Sequence, residues 1–178
     1  MSSDLPNTRD LPSRFGRAML FGAWVVGISL LAMLFNDYLE HRNNPNQEVA
    51  LQIAPGGLPQ VVLQRNRMGH YVASGTINGE PVVFLLDTGA TTVSMSLHLA
   101  RELNLPLRQG GMSRTANGLV QIWATRLDSV SLGGLTARNL RASVMPNLPG
   151  DEVLLGMDYL KRFEMIQRGE TLTLRVPG

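Results

Sequence analysis

The chain has 178 residues, enough for one ordinary domain and a short additional segment but too few for two full domains. Hydrophobic residues make up 44% and charged residues 17%, which excludes disorder over most of the length. The 16 Lys and Arg against 14 Asp and Glu are too balanced for a nucleic-acid-binding protein, and the absence of cysteine excludes disulfide scaffolds, thiolate zinc sites and cysteine nucleophiles.

The first predicted element is an apolar segment over residues 18–35 that contains no charged residue. As a helix it rises about 1.5 Å per residue and spans roughly 27 Å, close to the hydrocarbon core of a bilayer at about 30 Å. A cleaved signal peptide and a buried soluble helix are the alternatives. A signal peptide has an apolar core of about 7–15 residues and a small-residue cleavage site, and neither feature fits here. We therefore predict an uncleaved transmembrane anchor that contacts the bilayer.

The charges that flank this segment predict its orientation. Arg9, Arg14 and Arg17 precede it, whereas Arg42 is the basic residue close behind it. Because positively charged flanks stay in the cytoplasm, residues 1–17 are predicted to form a cytoplasmic tail, with the rest of the chain across the membrane.

The remainder divides into a linker and one folded domain. Residues 36–60 contain clusters of Pro, Gly and Asn without periodicity, which predicts a flexible linker. Residues 61–178 change to short apolar runs separated by Gly, and they suffice for one hydrophobic core.

Short strands dominate the predicted elements of this domain. Asn78-Gly79 lies between two apolar runs, 70–77 and 81–86, which predicts a β-hairpin with a tight primed turn. Ser96 is a candidate N-cap for a short helix. That helix covers 97–103, later strands are predicted over 119–127, 130–132, 140–144 and 172–176, and a second short helix over 158–163. This pattern predicts a small β-barrel or sandwich.

The triplet Asp87-Thr88-Gly89 follows directly after the apolar run 82–86. A carboxylate at the end of a buried strand loses hydration that other polar groups must replace. Thr offers a hydroxyl and Gly lets main-chain N–H groups approach closely, so the triplet suits a functional acid. The alternative is a strand that ends in an ordinary Asp-Thr-Gly turn.

The order of motifs resembles the retropepsin-like aspartic proteases, in particular the bacterial membrane-anchored branch of that clan. A strand, Asn-Gly, a second strand and the triplet at Asp87 are followed by a Gly-rich segment and by Leu154-Leu155-Gly156 before a helix. The resemblance covers residues 67–176. It implies a mostly β fold, a small closed barrel with one or two short helices after a single transmembrane helix, and hydrolysis of peptide bonds.

Such hydrolysis requires two carboxylates that share one proton, since like charges at about 3 Å cannot both ionise. The sequence offers one such triplet, because Asp128-Ser129-Val130 lacks the glycine. The second acid is therefore expected from an identical chain in a homodimer. By resemblance, Asp87 is the catalytic acid and base, Thr88 fixes the geometry of the pair, Gly89 donates its N–H to the carboxylate, and Ala90 lines the substrate site.

The resemblance also implies a flap over residues 109–118, which would bind an extended peptide substrate as an added strand. The substrate-binding residues expected there are Thr115, Ala116, Asn117 and Gly118. The alternative is a mobile surface hairpin without a binding role.

Together these features predict a membrane-anchored, homodimeric aspartic endopeptidase in the bacterial inner membrane, with its protease domain in the periplasm. No cofactor, metal ion or nucleic acid is expected, because the three histidines lie far apart and no phosphate-binding motif occurs. The alternative function is a catalytically inactive β-domain that binds envelope partners by strand pairing.

Overall fold

The computed structural model describes residues 11–115 and 118–178 of the chain. The chain forms two compact units, Met1–Glu40 and His41–Gly178. The described part of the first unit is helical throughout, and the second unit is mostly β-sheet.

The first helix, α1, runs from Leu11 to Asn43 and contains the apolar segment predicted from the sequence. Its described apolar side chains, from Met19 to Leu39, are exposed, with Phe21 at 77% and Leu31 at 68%. Exposing so much apolar surface to water is unfavourable. Residues Ala18–Asn43 are long and apolar enough to cross a membrane, a property that membrane spans share with signal sequences.

The second unit contains eleven strands and two short helices among the described residues. The strands are β1 Gln52–Ile53, β2 Pro59–Gln64, β3 Val72–Ile77, β4 Glu80–Leu86, β5 Val93–Ser96, β6 Arg108–Thr115, β7 Gly118–Leu132, β8 Leu135–Met145, β9 Val153–Leu155, β10 Glu164–Arg168 and β11 Thr171–Arg175. The helices are α2 Leu97–Glu102 and α3 Met157–Leu160.

Seven of the strands form one sheet in the order β3-β4-β9-β5-β8-β7-β6. The sheet closes on itself because β3 also pairs with β7, through Thr76 with Ser131 and Ile77 with Val130. The closed strands surround a core of buried apolar side chains, and β6 lies outside the closure as a partner of β7. The predicted mostly β fold with a closed barrel and short helices is confirmed.

The other four strands form a second sheet in the order β1-β2-β11-β10. The C-terminal hairpin β10–β11 packs its second strand against β2, with Leu174 opposite Val61 and Leu172 opposite Leu63. Strand β10 pairs only with β11 among the described strands, so it forms one edge of this sheet.

The turn at Asn78-Gly79 and the helix cap at Ser96 form as the local sequence predicts. Asn78 and Gly79 have φ values of 53° and 92°, as a primed turn requires, and they connect β3 to β4. The Ser96 side chain accepts a hydrogen bond from the Leu99 amide at 3.1 Å, so it caps α2.

One long strand replaces two predicted ones. The runs predicted over 119–127 and 130–132 are continuous in β7, which pairs with β8 from Trp123 to Leu132. Asp128 and Ser129 interrupt the apolar pattern, yet main-chain hydrogen bonding to the neighbouring strand does not depend on side-chain polarity. The ladder therefore passes through this polar interruption.

Residues of the segment 36–60, for which the composition predicts a flexible linker, contact the β-domain. Its first residues continue α1, and Asn46 is buried. The Asn46 side-chain amide donates to the carbonyl oxygens of Gln64 at 2.9 Å and Val72 at 2.6 Å, and its carboxamide oxygen accepts from the Gln64 amide at 2.7 Å. This side chain therefore bridges β2 and β3, a long-range contact that the local composition does not reveal.

Tyr159 is a fully buried side chain in the core. Its hydroxyl donates a hydrogen bond to the Leu135 carbonyl oxygen at 2.7 Å, and its ring lies 5.0 Å from that of Phe163. Burial raises the pKa of the Tyr159 hydroxyl well above its usual value, so the residue stays neutral in the folded protein.

Candidate active site

Three strands position the Asp87 loop. Strand β9 pairs in parallel with β4, with Leu155 opposite Leu86, and antiparallel with β5, with Leu154 opposite Ser94. Strand β9 therefore lies between the strand that enters the loop and the strand that leaves it. This arrangement fixes both ends of the loop against a common neighbour.

The Asp87 carboxylate is held at the start of this loop. The Asp87 amide donates to the Leu155 carbonyl oxygen at 3.3 Å, which continues the β4–β9 pairing by one residue. The Gly89 amide donates to Oδ1 of Asp87 at 2.8 Å. Hydrogen bonds to an ionised carboxylate are stronger than those between neutral groups, so this contact orients the side chain.

The start of α3 holds the far side of the loop. The amides of Met157 and Asp158 donate to the carbonyl oxygens of Ala90 at 2.8 Å and Thr91 at 2.9 Å. Gly156 makes this approach possible, because a Cβ atom there would clash with main-chain oxygens of the loop. The sequence Leu154-Leu155-Gly156 thus supplies both the strand beside Asp87 and the space for the loop.

Asp87 and Thr88 line a pocket of about 400 Å³. The other lining residues are Tyr71, Leu86, Leu160, Met165, Gln167 and Leu172. Asp87 provides the one carboxyl group among the lining residues of this pocket, and Asp87 is half-buried. A single carboxylate can be ionised or protonated but cannot be both at once, so this pocket alone provides half of an acid–base pair.

The predicted site residues lie at different places in this geometry. Asp87 and Thr88 both reach the pocket, and the Gly89 amide makes the contact with Asp87 that was expected of it. Ala90 is half-buried, and its carbonyl oxygen is bound to the start of α3. The substrate contact of Ala90 and the catalytic roles of Asp87, Thr88 and Gly89 stay predictions.

The predicted flap forms a hairpin of β6 and β7, with Thr115 opposite Gly118 at its end. The pairing shifts register between Gln109 and Met112, which marks a bulge at Gly110 and Gly111. Ala116 and Asn117 lie outside the described residues. The substrate contacts assigned to this tip stay predictions.

Several walls of the pocket come from distant parts of the chain and were not predicted from the sequence. Tyr71 precedes β3, and its buried hydroxyl has no hydrogen-bond partner among the described residues. The Arg65 guanidinium lies 5.6 Å from the centre of the Tyr71 ring. Met165 and Gln167 belong to β10, which was not predicted as a strand. No local motif marks these residues, since only the tertiary fold brings them to Asp87.

Among the described residues, no group of three or more His, Asp or Glu side chains is placed to bind a metal ion. The chemistry that the described site can offer is that of a carboxyl group beside hydroxyl and amide groups.

Comparisons with known proteins place this geometry in a family. A family model described as "gag-polyprotein putative aspartyl protease" matches residues 73–162, which include the Asp87 loop and β9. A crystal structure of a retropepsin-like aspartic protease from Rickettsia conorii is similar with a TM-score of 0.59 and 26% sequence identity, covering 72% of this chain and 96% of that one.

Two uncharacterized bacterial proteins are also similar in sequence. One, encoded in the cobV 5' region of a Sinorhizobium species, is 35% identical over 123 residues, covering 67% of this chain and 53% of the relative. The other, from Rickettsia prowazekii, is 30% identical over 109 residues, covering 59% of this chain and 46% of the relative. The chain thus spans about half the length of these curated relatives. With its Asp-Thr-Gly loop held by β9 and half of its length matched by the family model, the chain belongs to the retropepsin-like aspartic proteases.

Proposed function

We propose that this protein is an aspartic endopeptidase in which Asp87 activates water for attack on a peptide bond. The position of Asp87 supports this function most directly. Its carboxylate accepts a hydrogen bond from the Gly89 amide at 2.8 Å and reaches a pocket large enough for a substrate side chain. Membership of the retropepsin-like family supports the assignment to a peptidase.

The active enzyme is a homodimer in this proposal. One carboxylate must be ionised to accept a proton from water while another, protonated, donates to the substrate carbonyl. Asp87 supplies one acid, and a second copy of the chain supplies its equivalent across a two-fold axis. Thr88 then fixes the geometry of the pair, Gly89 keeps the carboxylate oriented, and Ala90 contacts the substrate.

Strand β10 is the surface through which we expect the two copies to meet. It is an edge strand with no partner on one side among the described residues, and such edges pair readily with other chains. Its Met165 and Gln167 line the same pocket as Asp87, so a copy that docks on β10 lies close to the acid. Met165 is 38% exposed and would be buried in the dimer.

The substrate in this proposal is an extended peptide covered by the β6–β7 hairpin. Thr115, Ala116, Asn117 and Gly118 would contact its main chain as an added strand. Met112 and Leu119 are exposed on the described part of the hairpin, and they offer apolar surface to substrate side chains.

Helix α1 anchors the enzyme in this proposal. Residues 18–35 cross the bacterial inner membrane, residues 1–17 remain in the cytoplasm, and the β-domain acts in the periplasm. The exposed apolar side chains of α1 support the anchor. The orientation is supported by Arg9, Arg14 and Arg17, which precede residues 18–35. Tethering two copies to one bilayer raises their effective concentration, which favours a weak dimer.

A peptide-library assay tests the proposal on the full chain in detergent at a series of pH values from about 4 to 7, because the pH at which such a pair shares one proton differs between enzymes. We expect cleavage by the wild type, none by Asp87→Asn, and unchanged cleavage by Asp128→Asn, which alters an exposed acid on β7. Sedimentation should show that all three form dimers. A wild-type dimer that cuts no peptide contradicts the enzyme and favours the alternative, a β-domain that binds envelope partners by strand pairing.

A further inference from the structure

A second cleft, of about 210 Å³, shares no lining residue with the Asp87 pocket. It lies where the outer face of β7 and β8 meets α3 and the turn that follows it. Its lining residues are Arg126, Asn139, Leu140, Arg141, Asp158, Lys161 and Arg162.

The cleft concentrates positive charge. Four of its residues are basic and one is acidic, so its formal charge is +3, whereas the whole chain carries only +2. Outside the cleft the chain has 12 basic residues (16 − 4) and 13 acidic residues (14 − 1), so the net positive charge of the chain comes from the cleft. Converging like charges repel one another, and a bound anion relieves that repulsion.

Two of the arginines lie directly opposite each other. Arg126 on β7 is the register partner of Arg141 on β8, an arrangement that destabilises an antiparallel pair. Asn139 accepts a hydrogen bond from the Arg126 guanidinium at 2.5 Å. Asn139 also has a φ of 58°, a left-handed conformation that is uncommon inside a strand. The local backbone thus departs from regular geometry where the Arg126 side chain is held.

The one carboxylate of the cleft cannot neutralise it. The Asp158 side chain is 11% exposed, and its two oxygens lie 3.1 Å from Nζ of Lys161 and 3.7 Å from a terminal nitrogen of Arg141. The Arg162 side chain donates to the main-chain oxygen of Asp158 at 3.3 Å, a neutral acceptor. Asp158 therefore orients the basic groups around the cleft while most of their charge remains uncompensated.

We propose that this cleft binds a phosphate-type oxyanion. The planar guanidinium of Arg presents paired N–H groups that match two oxygens of a phosphate, and Lys161 adds a point charge. The volume is below the range of about 300–1,000 Å³ that is typical of sites for whole cofactors, so a single phosphate group fits better than a nucleotide. The group could be free inorganic phosphate or the phosphodiester headgroup of an anionic lipid.

Isothermal titration calorimetry on the full chain in non-ionic detergent tests the site. Orthophosphate and pyrophosphate represent the free ion, glycerophosphoglycerol represents the lipid headgroup, and sodium chloride at equal ionic strength gives the baseline. We expect saturable binding to the wild type, weakened roughly tenfold or more in the Arg126→Gln, Arg141→Gln double variant, because charge-assisted hydrogen bonds are lost. The probe that binds more tightly identifies the source of the phosphate group.

The matched control is the Arg101→Gln, Arg138→Gln double variant, which removes the same charge from two exposed positions outside the cleft. The control should bind each probe as the wild type does. Melting temperatures without anion report whether the variants fold. If the cleft double variant melts at a lower temperature than the wild type, Lys161→Gln is tested in its place, and it too should weaken the saturable binding. Absence of saturable binding to the wild type, or equal weakening in the cleft and control variants, would overturn the proposal.

Discussion

Gly156 packs so closely against the loop after Asp87 that a Cβ atom on it would lie 2.7 Å from the Ala90 carbonyl oxygen. Carbon and oxygen atoms that are not bonded do not approach to this distance, so the loop would have to move. We predict that Gly156→Ala destabilises the fold by about 1–3 kcal/mol and displaces Asp87, with loss of peptide cleavage. Chemical denaturation and the peptide-library assay measure the two effects.

Gly111→Ala is the matched control for this substitution in the denaturation experiment. No heavy atom lies within 4 Å of the position that its Cβ would occupy. Its free energy of unfolding should stay within about 0.5 kcal/mol of the wild type. Equal stability of the Gly156→Ala and Gly111→Ala proteins would contradict the close packing described here.

Because the Tyr159 hydroxyl is buried, the free energy of unfolding should change with pH in the alkaline range. Burial raises the pKa of the Tyr159 hydroxyl in the folded state, whereas the same hydroxyl in the unfolded chain ionises near pH 10. The stabilisation is therefore fully present below about pH 10 and decreases above it, since the unfolded state loses its proton first. Tyr159→Phe should cost about 1 kcal/mol at neutral pH through loss of the bond to Leu135.

Melting temperatures from neutral pH to about pH 11 check this dependence. The difference between the wild type and Tyr159→Phe should become smaller as the pH rises above 10, because only the wild type has this group to ionise. A constant difference across the range would show that Tyr159 does not contribute to the alkaline loss.

Met165 on β10 tests the proposed contact between two copies. A charge at this position would be buried without a partner in the dimer, so Met165→Lys should weaken association by at least roughly tenfold and reduce cleavage at low protein concentration. Met68→Lys places the same charge at a site that is 70% exposed and should change neither property. Sedimentation over a concentration series measures association. Unchanged dimerisation of the Met165→Lys protein would exclude β10 as the contact.

Asn46 tests whether the segment before β2 belongs to the folded domain. Asn46→Ala removes three hydrogen bonds and leaves main-chain groups of Gln64 and Val72 unpaired, so we expect a loss of about 2–4 kcal/mol. Asn147→Ala, at an exposed position, should have little effect on the free energy of unfolding. Similar denaturation midpoints for both variants would mean that this segment does not stabilise the domain.

The sequence predicted the structures that depend on near neighbours. The Asn78-Gly79 turn needs only residues that tolerate positive φ, and the Ser96 cap needs only an amide three residues later. Asp87 was identified because its acid follows an apolar strand, and the motif order of a known family placed it in a closed barrel.

Contacts between distant residues could not be predicted in this way. Asn46 bonds to Val72 across 26 positions, and its role depends on where β2 and β3 meet. The walls of the Asp87 pocket come from β10 and from Tyr71, which precedes β3, so their chemistry carries no local signal. A polar composition before β2 therefore indicated a linker, although the same amides satisfy buried main-chain groups.

Strand β11 lies between β10 and β2 in the second sheet. Each protomer completes its terminal sheet with its own C-terminal hairpin, so no segment has to be exchanged with another molecule. Two such protomers would associate as folded monomers and would stay folded when they dissociate. If the protein acts as the membrane-anchored dimer proposed above, its activity would be controlled by how often two folded protomers meet in the membrane rather than by folding.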